Sequence, residues 1–446
     1  MGKKIFAVLM SVLVCLPLLL YGFVYTDKSA EKRQLTAFPS ITENGKLNTG
    51  FYSQIDSWFN DHFPFRSEII TAANMIKGSV FNTSGEKKVV VGSDDWLFFN
   101  ETTNDYIGES RLSDNDIEKI CATLNLVNEY VLSNNSKFIF CVAPNKNTIY
   151  GQFMPKNYIK SDTSNLDKLN TVLGTEDWYI NLKDLLSASK NTVYHKRDSH
   201  WNNIGAAMVQ KAVMERVNFD FTDFTKVPYT MQKNWHGDLD NMVYPSLNYL
   251  DEQAVFDYKF NHISNAKSEE DILINTTAEG KSRNLLMFRD SFGNALLPLF
   301  AEDFGVSKFS RATPYTLTDL YQNNFDLTVI EIAERNIKNL LYHAPLMSAP
   351  RREEPQGFAI ADTTVYTAEK NGLVNCYGSL KNDVKQVYLK LDNGEQVMYF
   401  EAFPILEKDK LLKSSSVIPY EIGENGFSAY LDKSLYENYN LTVMYR

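Results

Sequence analysis

Cysteine is scarce in this chain of 446 residues, with four in all. Cys15 lies in an apolar N-terminal run. That leaves Cys121, Cys141 and Cys376, an odd and sparse set that is no disulfide framework. Cys121 falls in a helical pattern and Cys141 in an apolar strand, so both read as buried thiols, with a Cys121–Cys141 bridge as the weaker reading. Histidine is scarce too, and neither His-Glu-x-x-His nor Cys-x-x-Cys occurs. His195, Asp198, His200 and His236 are the nearest approach to a zinc ligand set, but their spacing is irregular, and no metal or other cofactor is expected. No run of Lys and Arg occurs either. With a formal charge of −10 and a pI near 5.3, nucleic acid and anionic lipid are poor candidates for the main ligand. Internal repeats and long low-complexity tracts are absent, which excludes a repeat architecture.

The N-terminus carries one conspicuous apolar run. Lys3 and Lys4 precede residues 5–25, which are uncharged and almost wholly apolar. Those 21 residues suffice to cross a hydrocarbon core of ~30 Å at about 1.5 Å per residue. The two lysines place the N-terminus in the cytoplasm and the rest of the chain outside, as a single-pass cell-membrane protein. Cleavage as a signal peptide is the rival reading, but small-x-small spacing is missing just after the run. Val14 before Cys15 is also wrong for a lipid-attachment site. Residues 1–25 are therefore expected to be a transmembrane signal anchor and residues 26–50 a polar juxtamembrane linker.

Beyond the linker, apolar periodicity alternates between helix and strand. Ile55, Phe59, Ile69, Ile70 and Met75 repeat at helical spacing across 53–77, broken at Pro64. Val89–Val91 and Trp96–Phe99 flank Gly92-Ser93-Asp94-Asp95 as a hairpin-like pair. A helix opening at Ser113 leads into the strand at 137–143. A second helix spans 203–217, and strands at 284–289 and 326–332 flank a third. Such alternation predicts an α/β domain over 51–345, with a mostly parallel sheet and helices on both faces. Sites in such sheets lie at the carboxyl ends of strands. After Pro345 and the Pro-rich stretch 350–355 the texture changes to short alternating runs, with Asp392-Asn393-Gly394 as a hairpin signal. Residues 350–446 are expected to form a small β-sandwich.

Two segments carry chemistry. Arg289-Asp290-Ser291-Phe292-Gly293 sits between an apolar strand and an apolar helix, which places Ser291 at a sharp turn near a helix N-terminus. Asp198 and His200 lie two residues apart, so in an extended segment their side chains point the same way. A serine hydroxyl needs a base to take its proton, and a histidine held by a carboxylate is the usual one. Ser291, His200 and Asp198 thus form a candidate triad. Helix capping by Asp290 and Ser291, and a histidine bonded to backbone in Asp198-x-His200, remain open alternatives. Acyl transfer also needs donors for the oxyanion. The Ser291 amide is one candidate, Asn145 another, and Arg311 at a strand end is a candidate for binding donor or sugar. Asn145 as a turn residue and Arg311 as a solvated strand end stand beside those readings.

These blocks together resemble the DHHW and alginate O-acetyltransferase group of permuted SGNH-hydrolase-like proteins. The order is the permuted one, with Asp198-Ser199-His200-Trp201 first and the serine block later. Further matching blocks are Asp61-His62-Phe63-Pro64-Phe65-Arg66, Val91 through Phe98, and Ala143-Pro144-Asn145-Lys146 followed by Ile149-Tyr150 and Met154-Pro155. The resemblance covers roughly residues 50–340. It departs at Arg289, where related serine blocks often carry Gly. It implies an SGNH-like catalytic domain that acetylates a cell-surface polysaccharide outside the membrane through an acyl-enzyme, with an integral membrane partner passing the acyl group. It also implies that the C-terminal sandwich binds carbohydrate. A polysaccharide acyl-esterase, or a non-catalytic polysaccharide-binding assembly factor, are the alternatives.

Overall fold

The computed structural model describes residues 2–19, 36–43, 45–81, 83–263, 268–381, 384–406 and 425–446. Helix α1 (Gly2–Leu19) covers the start of the apolar run. Residues 20–25 of the expected membrane span lie outside the described residues, as does much of the expected linker. No described helix is long and apolar enough to cross a membrane. Helices α2 (Phe51–Asp61) and α3 (Arg66–Phe81) meet at the break that Pro64 imposes. His62 there stacks on Trp58 and its Nδ1 lies 2.8 Å from the Trp58 carbonyl, which ties the ring into the turn between the two helices.

Strands β1 (Val89–Val91) and β2 (Leu97–Phe99) form the expected hairpin. Helix α4 (Asp114–Ser133) starts with a capping box, in which the Ser113 hydroxyl and the Asp116 carboxylate each accept the other's backbone N–H. It leads into β3 (Lys137–Ala143), with β4 (Tyr179–Ile180) beside it. Helix α5 (Asn203–Arg216) follows, capped by Asn202. The remaining strands of this sheet are β5 (Asn261–His262), β6 (Leu273–Thr277), β7 (Asn284–Phe288), β8 (Val306–Ser310) and β9 (Leu327–Ala333), with α6 (Gly293–Ala301) between β7 and β8.

The strand order is β4-β3-β9-β7-β8-β6-β5. Neighbours from β4 to β8 are parallel, and β6 and β5 close one side antiparallel. Alternate residues of each central strand feed two different cores. Ile139, Cys141, Leu285, Met287, Leu327 and Val329 pack with residues of α5 and α6. Phe138, Phe140, Val142, Leu286, Phe288, Ile330 and Ile332 pack with residues of α4. The sheet therefore carries helices on both faces, as the near-continuous apolar strands require. Cys121 and Cys141 are buried free thiols.

The C-terminal region of the chain is antiparallel: β10 (Tyr366–Lys370), β11 (Leu373–Leu380), β12 (Val387–Asp392), β13 (Val397–Ile405), β14 (Asn425–Asp432) and β15 (Asn440–Tyr445). β13 pairs with β12 through Val397 to Ala402 and with β14 through its last three residues, so one strand joins two half-sheets. Their inward residues, Cys376, Leu389, Phe400 and Phe427 among them, form one core. This region also leans on α4, because Leu373, Phe403, Ile405 and Tyr430 share the α4 core. Arg352 pairs with both Glu129 of α4 and Glu401 of β13.

Candidate active site

Four parallel strands end at one edge of the sheet, and their following loops build the site. Ser291 follows β7, Asn145 and Lys146 follow β3, Glu334 and Arg335 follow β9, and Arg311 follows β8. The Asp198–His200 segment reaches the same edge just ahead of α5. The His200 Nε2 lies 2.8 Å from the Ser291 Oγ, and the His200 Nδ1 lies 2.7 Å from the Asp198 Oδ1. All three sequence-selected side chains are brought together, in the order that nucleophile, base and orienting acid require.

The way Asp198 reaches His200 differs from the expectation. The segment is not extended. The Asp198 Oδ1 also accepts the backbone N–H of His200 at 2.9 Å, so the carboxylate folds its own chain into a tight turn and meets the ring two residues on. Its second oxygen accepts from the Trp235 indole at 3.1 Å and the Asp238 amide at 3.0 Å. With 2% exposure and these donors converging on it, the carboxylate is fixed and stays ionised. Burial opposes that charge, but His200 and His195 beside it and the donated hydrogen bonds more than offset the penalty. Burial likewise disfavours a charged His200, but Asp198 and then Asp238 outweigh it and hold the imidazole pKa above its usual value.

The serine turn is locked from below. The Asp290 Oδ1 accepts the Phe292 N–H, and its Oδ2 accepts from the Ala333 amide at 2.7 Å and the Asn336 side chain at 3.0 Å. Asp290 thus ties the turn after β7 to the turn after β9. The Ser291 hydroxyl faces His200 and caps nothing, because the residue ahead of α6 is Phe292 and makes no side-chain cap. Arg289, the departure from Gly, is buried. It donates to the Glu269 carbonyl at 2.6 Å and to the Asn294 side chain. Its side chain lies where a Cβ at position 293 would sit, 2.5 Å from the Arg289 Cβ, which accounts for Gly293.

The Ala143-to-Tyr150 block clamps the acid–base segment. The buried Lys146 Nζ donates to the carbonyls of His195, Lys196 and Asp198 at 3.2, 2.9 and 2.5 Å, one acceptor for each ammonium proton. The Tyr194 hydroxyl donates to the Pro144 carbonyl, and the Val193 amide donates to the Tyr150 hydroxyl. Burial draws the Lys146 pKa down to about 7, with Asp198, Asp238 and Asp251 acting against that fall. Trp201 completes the assembly: its indole donates to the Phe292 carbonyl at 3.0 Å, joining the base to the serine turn.

Asn145 and Arg311 reach this edge but are otherwise engaged. The Asn145 amide N–H goes to Glu334 at 2.7 Å and its side-chain amide points to Asp105 at 3.4 Å. Burial, with Asp105 close by, pushes the Glu334 carboxyl up to about 8. The Arg311 guanidinium is held by the Glu270 carboxylate, which also accepts from Asn294. Among the described residues, neither side chain hydrogen-bonds Ser291 or His200. The backbone N–H of Ser291 has no hydrogen-bond partner among the described residues. The four-residue ligand set considered from sequence does not converge. His195 is buried against Trp235, which lowers its pKa to about 4, and His236 is exposed. Asp198, His200 and Asp238 do have ligand atoms within 4.8 Å of one another. Both ring nitrogens of His200, however, are already directed at Asp198 and Ser291.

Sequence reasoning missed Trp235 and Asp238, which hold Asp198. Asp238 accepts the Ser199 backbone and hydroxyl at 2.7 and 2.5 Å. The Trp235–Asp238 run was visible as a polar stretch around His236, but nothing local says that it folds under Asp198.

Residues 89–276 match the family model of the SGNH hydrolase-like domain, acetyltransferase AlgX. This is the family that the motifs resemble. The match takes in Asp198 and His200 and ends ahead of Ser291. Among solved structures, a DHHW family protein from Eubacterium siraeum is similar at 17% identity, over 50% of this chain and 85% of that one, with a TM-score of 0.41. Bacillus cereus PatB1 is 17% identical over 56% of this chain and 96% of its own, with a TM-score of 0.45. Pseudomonas aeruginosa AlgX is 12% identical over 80% and 90%, with a TM-score of 0.36. A comparison with curated proteins finds no match. The fold is mixed α/β, and its residues 89–276 are similar to an SGNH hydrolase-like domain.

Proposed function

We propose that this protein is an SGNH-type O-acyltransferase that moves an acetyl group onto a cell-surface polysaccharide through an acyl-enzyme. The observation that carries the reading is the unbroken relay from Ser291 Oγ to His200 Nε2 at 2.8 Å and from His200 Nδ1 to Asp198 at 2.7 Å. His200 takes the hydroxyl proton as the Ser291 oxygen bonds to the ester carbonyl carbon. The tetrahedral intermediate then expels the donor alkoxide, which leaves with that proton. A sugar hydroxyl, deprotonated by the same imidazole, attacks the acyl-serine in the second half. Asp198 orients the ring and offsets its charge in both halves.

Transfer rather than hydrolysis is supported by the acetyltransferase name of the matching family. An esterase would use water in the second half at the same residues. A non-catalytic binding factor would keep the scaffold and turn nothing over. We place the activity outside the cytoplasmic membrane, with residues 1–25 as anchor and a membrane-embedded acyl donor as partner. The apolar run and its two preceding lysines support that placement. Residues 51–345 form the catalytic unit in this reading, and residues 350–446 bind polymer. Incubating the chain with an activated acetyl ester, with and without oligosaccharide, tests it. Acetylated sugar is the expected product. Acetate released at an unchanged rate with no sugar ester formed selects the esterase, and no turnover selects the binding factor.

A further inference from the structure

Arg335 stands out among the groups at the rim of the serine turn. It occupies the 3-10 segment Glu334–Leu341 that follows β9. Asp290 holds that segment against Ser291, accepting from Ala333 and Asn336 on either side of Arg335. The Arg335 guanidinium lies 5.5 Å from the centre of the Phe292 ring and 5.6 Å from that of Phe99. Phe292 in turn stacks edge-on against His200 at 4.8 Å. The side chain is half-buried, and it has no hydrogen-bond or ion-pair partner among the described residues. Its neighbours at this edge are different: Arg289 is engaged by Asn294 and a carbonyl, and Arg311 by Glu270.

A guanidinium offers five N–H donors and is always charged. A guanidinium at this rim with its donors free of protein acceptors is placed to receive an anion that forms during the reaction. Its positive charge already opposes protonation of His200. We propose that Arg335 receives the oxyanion of the tetrahedral intermediate on Ser291, together with the Ser291 backbone N–H. As the Ser291 oxygen bonds to the carbonyl carbon and its proton passes to His200, the carbonyl electron pair moves onto the oxygen that faces Arg335. When the leaving alkoxide departs with the proton from His200, that pair returns to the carbonyl. The faces of Phe99 and Phe292 hold the guanidinium in place by cation–π contact without consuming its donors. This assignment rests on the acyl-enzyme reading above and adds to it the group that stabilises the transition state.

The test uses the full chain and two probes: an activated phenyl acetate, and phenylboronic acid, whose boron becomes a tetrahedral anion on bonding a serine oxygen. Arg335→Gln should slow acylation ~10²-fold, as removal of an oxyanion donor does, with KM little changed and a thermal melt like the parent's. Boronate affinity should fall alongside. Arg335→Lys should retain part of the rate, and added guanidinium ion should restore part of it to Arg335→Ala. Losing a positive charge should also move the acidic limb of the pH–rate profile upward. Acylation of Arg335→Gln within twofold of the parent overturns the assignment. So does slowed acylation with undiminished boronate binding, which marks a merely structural side chain. A parent protein that takes up no acyl group at Ser291 overturns the triad reading itself, and this assignment with it.

Discussion

In the proposed reaction, a proton passing from Ser291 to His200 would leave an imidazolium 2.7 Å from the Asp198 carboxylate, and most residue-scale expectations follow from that contact. The base in that reaction is the neutral imidazole. Because the His200 pKa lies above 6.5, acylation should be full above that pKa and fall away as pH drops through it. Asp198→Asn removes the larger of the two raising charges, so the acidic limb should move to lower pH. The maximal rate should drop by up to ~10⁴, since the amide no longer selects the useful tautomer. A pH–rate profile of acylation checks both, and a limb that stays in place contradicts the role given to Asp198. Chelation should leave the rate unchanged, whereas inhibition by chelator reversed by a divalent cation would point to the Asp198, His200 and Asp238 cluster. That Ser291, His200 and Asp198 meet was legible in the sequence because each belongs to a short pattern of reactive residue types. Trp235 and Asp238 were not, because their importance depends on which distant turn they meet.

Elements decide where those side chains stand. The segments that matched the resemblance without any assigned role prove to be the frame: β2 donates the Leu97 amide to the Lys196 carbonyl, and the loop after β3 supplies Pro144, Lys146 and Tyr150 as a clamp. Lys146→Met should therefore cut acylation strongly, because carbonyls left unpaired in a buried site cost ~1–3 kcal/mol each and the loop will rearrange to hydrate them. Lys146→Arg, longer and planar, should rescue poorly. Hydrogen exchange over residues 193–201 is the direct readout, and unchanged protection in Lys146→Met would contradict the clamp. Trp201→Phe removes a buried hydrogen bond and part of a fully buried ring, leaving a cavity beside Phe292, and should cost about 2–3 kcal/mol in stability, measured by denaturant unfolding. The strand and helix pattern was readable because β3, β7 and β9 are apolar on both sides and their helices on one. The tight turn at Asp198–His200 was not, since a period-two argument presumes an extended chain and cannot see a carboxylate bending its own backbone.

At the scale of the whole molecule, the C-terminal sheet does more than follow the α/β region. Leu373, Phe403, Ile405 and Tyr430 complete a core with α4, and Arg352 bridges Glu129 to Glu401. A chain ending near Pro345 should consequently lose stability and expose apolar surface, seen as a lower melting temperature and dye binding; a melt identical to the full chain's would mean that the shared core contributes nothing. The change in texture after 345 showed in the sequence, but this packing did not, because alternating strands reveal which side is apolar and not what covers it. Among the aromatic residues of β12 and β13, Tyr399 and Phe400 are buried, and Tyr388 is partly open, resting edge-on against Phe358. Polymer binding by this sheet would therefore centre on Tyr388 and its surroundings. The central claim concerns Ser291, and one measurement meets it most directly: intact mass and peptide mapping of the full chain after brief exposure to an activated acetyl ester. The account predicts a single acetyl group on the peptide containing Ser291 in the parent and none there in Ser291→Ala. Equal acetylation of that peptide in the alanine variant, or a parent that stays unmodified while it still turns over the ester, would contradict it.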